Sequence, residues 1–535
     1  MRRIENDLSV KSTRLGQARR DGLALFLLAL TVRLVVAALI RNPGYMDTGY
    51  YAAGAVRLTQ GGGFSEPFIW NYLDDPAGFP HPGFLYWMPL PSLLAAPFAA
   101  LSRDSFFASQ IPFAILSAAL PVVTYALARR TTGKRWIAWM AGLTTLFSGF
   151  FFSYWTLPET FTPFALFGSL ALWLAAGHGR RGATATRALA AGTLVGLAHL
   201  TRADGILLLP VAALAAFIRP AASDDARPSL RVSRPALGRV ALTLLGYAVV
   251  MTPWFLRNLA RIGAPLSPSG TQTLWLRTYD DLFCYDCSLT LRSYLAWGAS
   301  NILRSKLWAA GVNLQRFLAE NCLIFLLPFT LAGLYRLRRR PPFALATLTL
   351  VLIYLAHSFA FTFPGPRGGF FHASAALLPF LHTAAGDGLD AAIGWAARRR
   401  RWNRRQARTV FAATVVCLSI LLSAYATANK LEDWRHERET YQWLARWLAE
   451  EPSASTVMIA NPPAFWYHTR HPSVAVPNEG LELLLSAARR YDVSHLVLDE
   501  NRPQPLGPFY AGEIDDERLE LVATLEQTKI YHVRW

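Results

Sequence analysis

From Gly22 to Tyr425 the chain runs apolar for about 15 to 25 residues at a time, breaks, and begins again, and every second break is crowded with arginine. An apolar run of that length closes into a helix that crosses about 30 Å of hydrocarbon. The Arg-rich breaks are "MRRIENDLSVKSTRLGQARR", "ARRTTGKR", "GHGRRGATATR", "RPAASDDARPSLRVSRPALGR", "YRLRRRPP" and "RRRRWNRRQAR". Basic residues collect on the cytoplasmic side of membrane proteins, so these breaks mark that side and the others lie outside. Only 16% of the 535 residues are charged and 53% are hydrophobic, against about 25% charged in soluble domains. The sequence predicts an α-helical polytopic membrane protein.

Eleven spans are expected, at about 22–40, 106–128, 136–154, 159–176, 187–200, 205–218, 240–257, 321–335, 342–361, 372–394 and 409–427. The fifth and sixth are too short to cross alone and read as a tight pair turning at "TRADG". Residues 84–101, "FLYWMPLPSLLAAPFAAL", contain three prolines and read as helices at the outer interface, with Tyr86 and Trp87 at headgroup depth. The expected organisation is a cytoplasmic basic tail, 1–21; a membrane domain, 22–427, with an external loop at 41–105; and an external soluble domain, 428–535. That last segment has an α/β pattern. "HERETYQWLARWLAEE" and "NEGLELLLSAARRY" have helical periodicity, whereas "STVMIA", "SHLVLDE" and "TKIYHVRW" read as strands. It lacks a phosphate-cradling Gly-rich loop, and an accessory or lid role is the expectation.

The net charge of +18 does not point to nucleic acid, because the basic residues sit between apolar spans rather than on a soluble patch. Four cysteines make no disulfide framework. "CYDC", Cys284 to Cys287, reads as a local disulfide or a chance pair before it reads as a metal site, and Cys322 and Cys417 read as packing residues.

The unusual polar residues gather on the external side. "RNPGYMDTGYYAAG" places Asp47 just beyond the first span, beside Tyr50 and Tyr51, in a loop that also carries His81, Tyr86 and Trp87. Aromatic rings with carboxylates suit a carbohydrate, whose C–H faces stack while its hydroxyls seek planar acceptors. A carboxylate this close to hydrocarbon is costly unless paired or used. "LPETFTPF" sets Glu159 at the outer mouth of the next spans, and "TRADG" sets Arg202 and Asp204 at another outer turn. An ion pair or cap is the simplest role of that pair. A guanidinium there also suits bidentate phosphate binding. Arg257, Arg277 and Arg367 add further external cations.

In their order, "HPGFLYWMPLP", "LPETFTPF", "TRADG" and "PWFLRN" resemble the C-type glycosyltransferase superfamily of polytopic membrane enzymes, in the branch of protein O-mannosyltransferases and lipid A aminoarabinose transferases. The resemblance spans roughly residues 20–395. It implies transfer of a hexose or pentose from a polyprenyl-phosphate carrier to a lipid, glycan or protein acceptor, with inversion, on the non-cytoplasmic side; the Arg-rich junctions and the lack of organelle signals favour a bacterial inner membrane. By position it implies Asp47 as the base, Glu159 as the second acid, and Arg202, Arg257 and Arg367 as partners of the carrier phosphate. Thr48 stands where many relatives have a second acid; a divalent cation, Mg2+ or Mn2+, is left open. A lipid-linked sugar transporter or a non-catalytic envelope assembly protein are the competing readings. Transporters place charges at the helix midplane, whereas here polar residues occupy one external layer.

Overall fold

In hydrocarbon every backbone N–H and C=O must bond within its own segment, and the apolar runs accordingly close into helices. The computed structural model describes residues 2–102, 105–177, 184–219, 229–230, 232–451 and 454–535. The middle of two expected cytoplasmic junctions, 178–183 and 220–228, lies outside the described residues. The helices are Arg2–Leu39 (α1), Met46–Thr59 (α2), Leu90–Leu101 (α3), Phe106–Thr132 (α4), Arg135–Leu146 (α5), Phe161–Ala175 (α6), Thr184–Thr201 (α7), Leu208–Ala215 (α8), Arg234–Ile262 (α9), Ala299–Arg316 (α10), Leu327–Leu337 (α11), Pro341–Leu355 (α12), Leu378–Arg400 (α13) and Arg404–Glu450 (α14).

Among the described residues, five helical stretches are long and apolar enough to cross a membrane alone: Gly16–Leu39, α4, α9, Pro341–Ala360 and α14. The other expected spans are shorter or more polar. The third, for example, ends as α5 at Leu146 and continues as a tight turn over Gly149–Tyr154. Within 258–320, where a connection was expected, the chain forms α10. Its Leu303, Leu307, Trp308 and Leu314 are exposed, while the buried Asn313 amide donates to the His357 carbonyl at 3.1 Å.

The fifth span, predicted short, is the 18-residue α7, and it packs closely on α9. A Cβ at Gly192 would lie 1.9 Å from the Thr243 carbonyl oxygen, and one at Gly246 would lie 2.2 Å from that of Leu189. Small residues let the two backbones touch, as is common where membrane helices cross. Because α7 ends one residue before Arg202, this crossing sets the depth of the site below. Gly192→Val is expected to destabilise the protein by about 1–3 kcal/mol through overpacking, read as a lower thermal midpoint in detergent; an unchanged midpoint would contradict the close crossing.

The C-terminal sheet region is not separated by a linker. Helix α14 runs 47 residues, about 70 Å at 1.5 Å per residue, and passes straight through residue 428. Beyond it come Thr456–Ile459 (β2), a helix Pro462–Thr469, Ser473–Ala475 (β3), a helix Leu481–Arg490, Val493–Leu498 (β4), Leu519–Leu525 (β5) and Thr528–Val533 (β6). Phe68–Ile69 (β1), from the loop after the first span, pairs in parallel with Ser473–Val474. The sheet order is β1-β3-β2-β4-β6-β5. Strands β1, β3, β2 and β4 are parallel, and β6 and β5 close the edge antiparallel. The loop after the first span and the C-terminal segment therefore share one sheet, tied further by Arg490 Nη1 donating to Asp75 at 2.7 Å.

Candidate active site

Asp47 stands in the first turn of α2, whose next turn is pinned by aromatic packing. Tyr50 and Tyr51 are each 1% exposed in a cluster with Phe84, Met88, Met251 and Trp254, and Trp70 stacks on Trp87 at 4.1 Å. This packing fixes the helix so that Asp47 opens on a cavity of about 2040 Å³, shared with Tyr51, Tyr86, Arg202, Asp204, Arg367 and His372. Burial pushes the Asp47 carboxyl up to about 6, against the pull of the Arg202 charge.

His372 Nε2 faces Asp47 Oδ2 at 3.9 Å, and its Nδ1 lies 3.5 Å from Glu159 Oε2. Nδ1 is 2.8 Å from the Thr160 hydroxyl, and Phe161 stacks on the imidazole at 3.8 Å. Glu159 is fully buried. Its oxygens accept the backbone N–H groups of Thr160 at 2.8 Å and Phe161 at 3.1 Å, at the start of α6. It does not line the cavity, and His372 stands between it and Asp47.

Arg202 follows α7 and grips Asp204 with two bonds, Nε to Oδ1 at 3.0 Å and Nη2 to Oδ2 at 2.9 Å. Its Nη1 reaches the Thr160 hydroxyl at 3.5 Å. His357 Nε2 donates to Asp204 Oδ2 at 3.1 Å, completing a chain of polar groups from Asp47 to His357. Arg316 also lines the cavity. Its Nε donates to the Pro366 carbonyl at 2.8 Å and its Nη1 to Glu320. Arg367 lies over the Tyr279 ring at 5.2 Å.

Other expected site residues are committed elsewhere. Tyr50 donates its hydroxyl to Glu66 and accepts the Phe84 N–H at 2.8 Å. His81 binds Asp74 at 2.9 Å and faces Glu66 at 4.0 Å. Burial alone would lower the His81 imidazole, but the Asp74 bond and the two carboxylate charges hold it above its ordinary value. Arg257 donates to the Phe64 carbonyl at 2.8 Å and lies over Trp254 at 4.8 Å. Arg277 sits 3.7 Å from Asp281. None of these four lines the cavity. His81→Ala is expected to cost about 1–3 kcal/mol of stability, since Asp74 and Glu66 lose their shared partner. Transfer at saturating donor should stay at the wild-type level, and an equal loss of turnover would return His81 to the site.

His372, His357, Arg316 and Glu320 escaped the sequence reading. His357, a lone ionisable group inside the apolar run 342–361, carried a usable signal. Arg316 and Glu320 form an i,i+4 pair, visible only once that segment is known to be helical.

For a divalent cation, Asp47 and Glu320 are the carboxylates among these groups that line the cavity with an oxygen not held by another protein donor among the described residues. Both Glu159 oxygens are taken by backbone donors. Among the described residues, the cluster with metal-ligand spacing is Cys284, Cys287 and Glu479, and those two cysteines form a disulfide. Around Asp47, no three described His, Cys, Asp or Glu side chains share that spacing.

Residues 81–254 match the family model described as dolichyl-phosphate-mannose-protein mannosyltransferase. No curated relative matches the chain. Among solved structures, ArnT from Cupriavidus metallidurans in the apo state aligns with a TM-score of 0.58 at 15% identity, over 96% of this chain and 98% of that one. The same protein bound to undecaprenyl phosphate gives 0.55 at 15%, over 95% and 97%. An Archaeoglobus fulgidus oligosaccharyltransferase in complex with Zn and sulfate gives 0.51 at 13%, over 95% and 73%. At such identities the likeness is one of fold. The chain thus has the architecture of the C-type membrane glycosyltransferases that its sequence resembles, and about a third of it matches the mannosyltransferase family model.

Proposed function

We propose that the protein moves a sugar from a polyprenyl-phosphate carrier to a lipid, glycan or protein acceptor on the external side of a cell inner membrane. The observation that carries this reading is one cavity in which the Asp47 carboxylate shares a wall with the Arg202, Arg316 and Arg367 guanidinium groups. A carboxylate suits a nucleophile losing its proton, and arginines suit a phosphate leaving where water is scarce. The fold-level match to a protein solved with undecaprenyl phosphate supports a carrier of that class.

The acceptor hydroxyl oxygen attacks the anomeric carbon and forms the new C–O bond. The bond from that carbon to the phosphate oxygen breaks, its electron pair stays on the phosphate, and the acceptor proton passes to Asp47. A single displacement inverts the anomeric configuration. His372, held by Thr160 and stacked on Phe161, sets the position of Asp47, with Glu159 acting through it. Arg202 is fixed in direction by Asp204, which His357 holds in turn, and its Nη1 side faces the Thr160 end of the cavity.

Purified protein in nanodiscs, supplied with a radiolabelled polyprenyl-phosphate sugar, is expected to release polyprenyl phosphate in step with glycosylation of an acceptor. Movement of the intact carrier across the bilayer without bond cleavage would overturn the reading in favour of a lipid-linked sugar transporter.

A further inference from the structure

Asp47 lies in the first turn of α2, and the helix itself does little to hold that turn. The leading N–H groups of a helix have no partner within it, and a side-chain cap usually steadies them. Tyr45, at the cap position, offers no such bond. An uncapped start frays, whereas a general base must stay within hydrogen-bond reach of the proton it takes. What holds the entry to α2 comes from the far end of the sequence.

Trp434 lies on α14 beyond the last expected span and is buried. Its indole fills the space that a side chain at Gly44 would need. A Cβ there would fall 2.4 Å from the indole Cγ, and Gly44 holds φ at +75°, which glycine adopts without strain. The indole stacks on the Tyr45 ring at 6.1 Å, and the Trp434 carbonyl accepts the buried Asn42 amide at 3.0 Å. Three residues of the short link between α1 and α2 thus meet one residue of α14. The same indole reaches the other side of the site. Tyr154 packs edge-on against Trp434 at 5.8 Å and Tyr45 at 5.7 Å, and against Phe371, next to His372, at 5.7 Å. Tyr45 and Tyr154 line the cavity, whereas Trp434 does not. One turn further along α2, Gly49 lies against Ala464 of the helix Pro462–Thr469, where a Cβ would come within 3.1 Å.

We infer that Trp434 is a positioning residue for Asp47: its indole and carbonyl lock the entry to α2, so that α14 sets where the carboxylate stands against His372. The role of Asp47 as base rests on the transfer reading; the lock itself rests on packing alone. Trp434 carries no charge and gives no group to the reaction. Its effect passes through Asn42, Gly44 and Tyr45 into the first turn of α2, and through Tyr154 into the wall that carries His372. The C-terminal region is then part of the frame of the site rather than a lid over it.

The test uses the full chain in nanodiscs and two independent measurements. Trp434→Ala is expected to lower kcat about 10- to 100-fold, the scale of a displaced reacting group. KM for the polyprenyl-phosphate sugar should not change, because the arginines are untouched. The acidic limb of the rate should move to lower pH than the wild-type limb near 6, since a carboxylate released from burial gains water and returns toward its ordinary range. The groups that face Asp47 are the Arg202 charge, the His372 imidazole with Glu159 behind it, and the hydroxyls of Tyr45, Tyr51, Tyr86, Tyr154 and Tyr279. All of them remain in the variant. Trp434→Phe, which keeps a ring against Tyr45, should recover most of the rate and the original limb. Gly44→Ala, which drives a methyl against the indole, should repeat the pattern, and the double variant should lose no more than Trp434→Ala alone, because both act through one contact. In hydrogen–deuterium exchange, the Gly49 N–H closes the first turn on the Tyr45 carbonyl at 2.9 Å. It should exchange about tenfold faster in Trp434→Ala while α4 stays protected. An unmoved acidic limb with unchanged Gly49 protection in Trp434→Ala, or fully additive losses in the double variant, would overturn the inference. Faster Gly49 exchange in Trp434→Ala, when even the wild type transfers no sugar, would instead overturn the transfer reading and leave the lock standing.

Discussion

Asp47→Asn should fold normally and lose about 10²- to 10⁴-fold of its transfer rate, the usual contribution of a positioned general base. Asparagine keeps the shape of the side chain and removes its basicity, so the loss belongs in the chemical step and donor binding should persist. The pH profile sharpens the test. Burial raises the Asp47 carboxyl to about 6, and a base works only when ionised. The rate constant is therefore expected to be flat above about pH 7 and to fall as pH drops through about 6, approaching tenfold per pH unit below it. The variant should lose this acidic limb together with its activity. An unchanged limb in Asp47→Asn would assign the titration to another group, and near-normal turnover would remove Asp47 from the chemistry.

Arg202→Ala is expected to lose about 10²- to 10³-fold in kcat/KM, the scale for removing one preorganised charge-stabilising donor. It also strands Asp204, which keeps only the His357 bond at 3.1 Å. Breaking a buried ion pair from one side costs about 3–5 kcal/mol, so the variant should melt earlier as well. The two losses separate in the double variant Arg202→Ala with Asp204→Ala, where stability should largely return and transfer should not. Because the Arg202 charge holds Asp47 down, the residual activity should show its acidic limb at higher pH than the wild type. Full recovery of transfer in the double variant would make Arg202 a structural partner of Asp204 and nothing more.

The polar residues set between the apolar runs were legible in the sequence because their warrant is local. A carboxylate placed just past an apolar run, or an arginine beside an aspartate in a short turn, is conspicuous wherever the fold carries it. Asp47, Tyr51, Tyr86, Arg202, Asp204 and Arg367 were found this way, and all of them line one cavity. The same reasoning grouped with them Glu159, Tyr50, His81, Arg257 and Arg277, which do not line that cavity and whose side chains already hold partners, some of them from distant segments. Glu66 lies 16 residues from Tyr50, and the Phe64 carbonyl lies 193 residues from Arg257. A charge count does not show that a side chain is already satisfied.

Hydropathy and the Arg-rich junctions were sufficient for a helical membrane architecture, since hydrocarbon leaves a chain of this composition no other way to satisfy its backbone. They were also sufficient for the strands in the C-terminal segment, where Thr456–Ile459 and Thr528–Val533 lie within the runs that predicted them. They did not reveal that Phe68–Ile69 joins that sheet, that α14 continues unbroken into it, or that His372 stands between Asp47 and Glu159 across more than 200 residues of chain. The difference is one of range: periodicity and composition report what a residue does to its neighbours within a turn or two, whereas a site assembled from five or more helices depends on how closely their backbones approach, as at Gly192 and Gly246, and packing of that kind exists only in three dimensions.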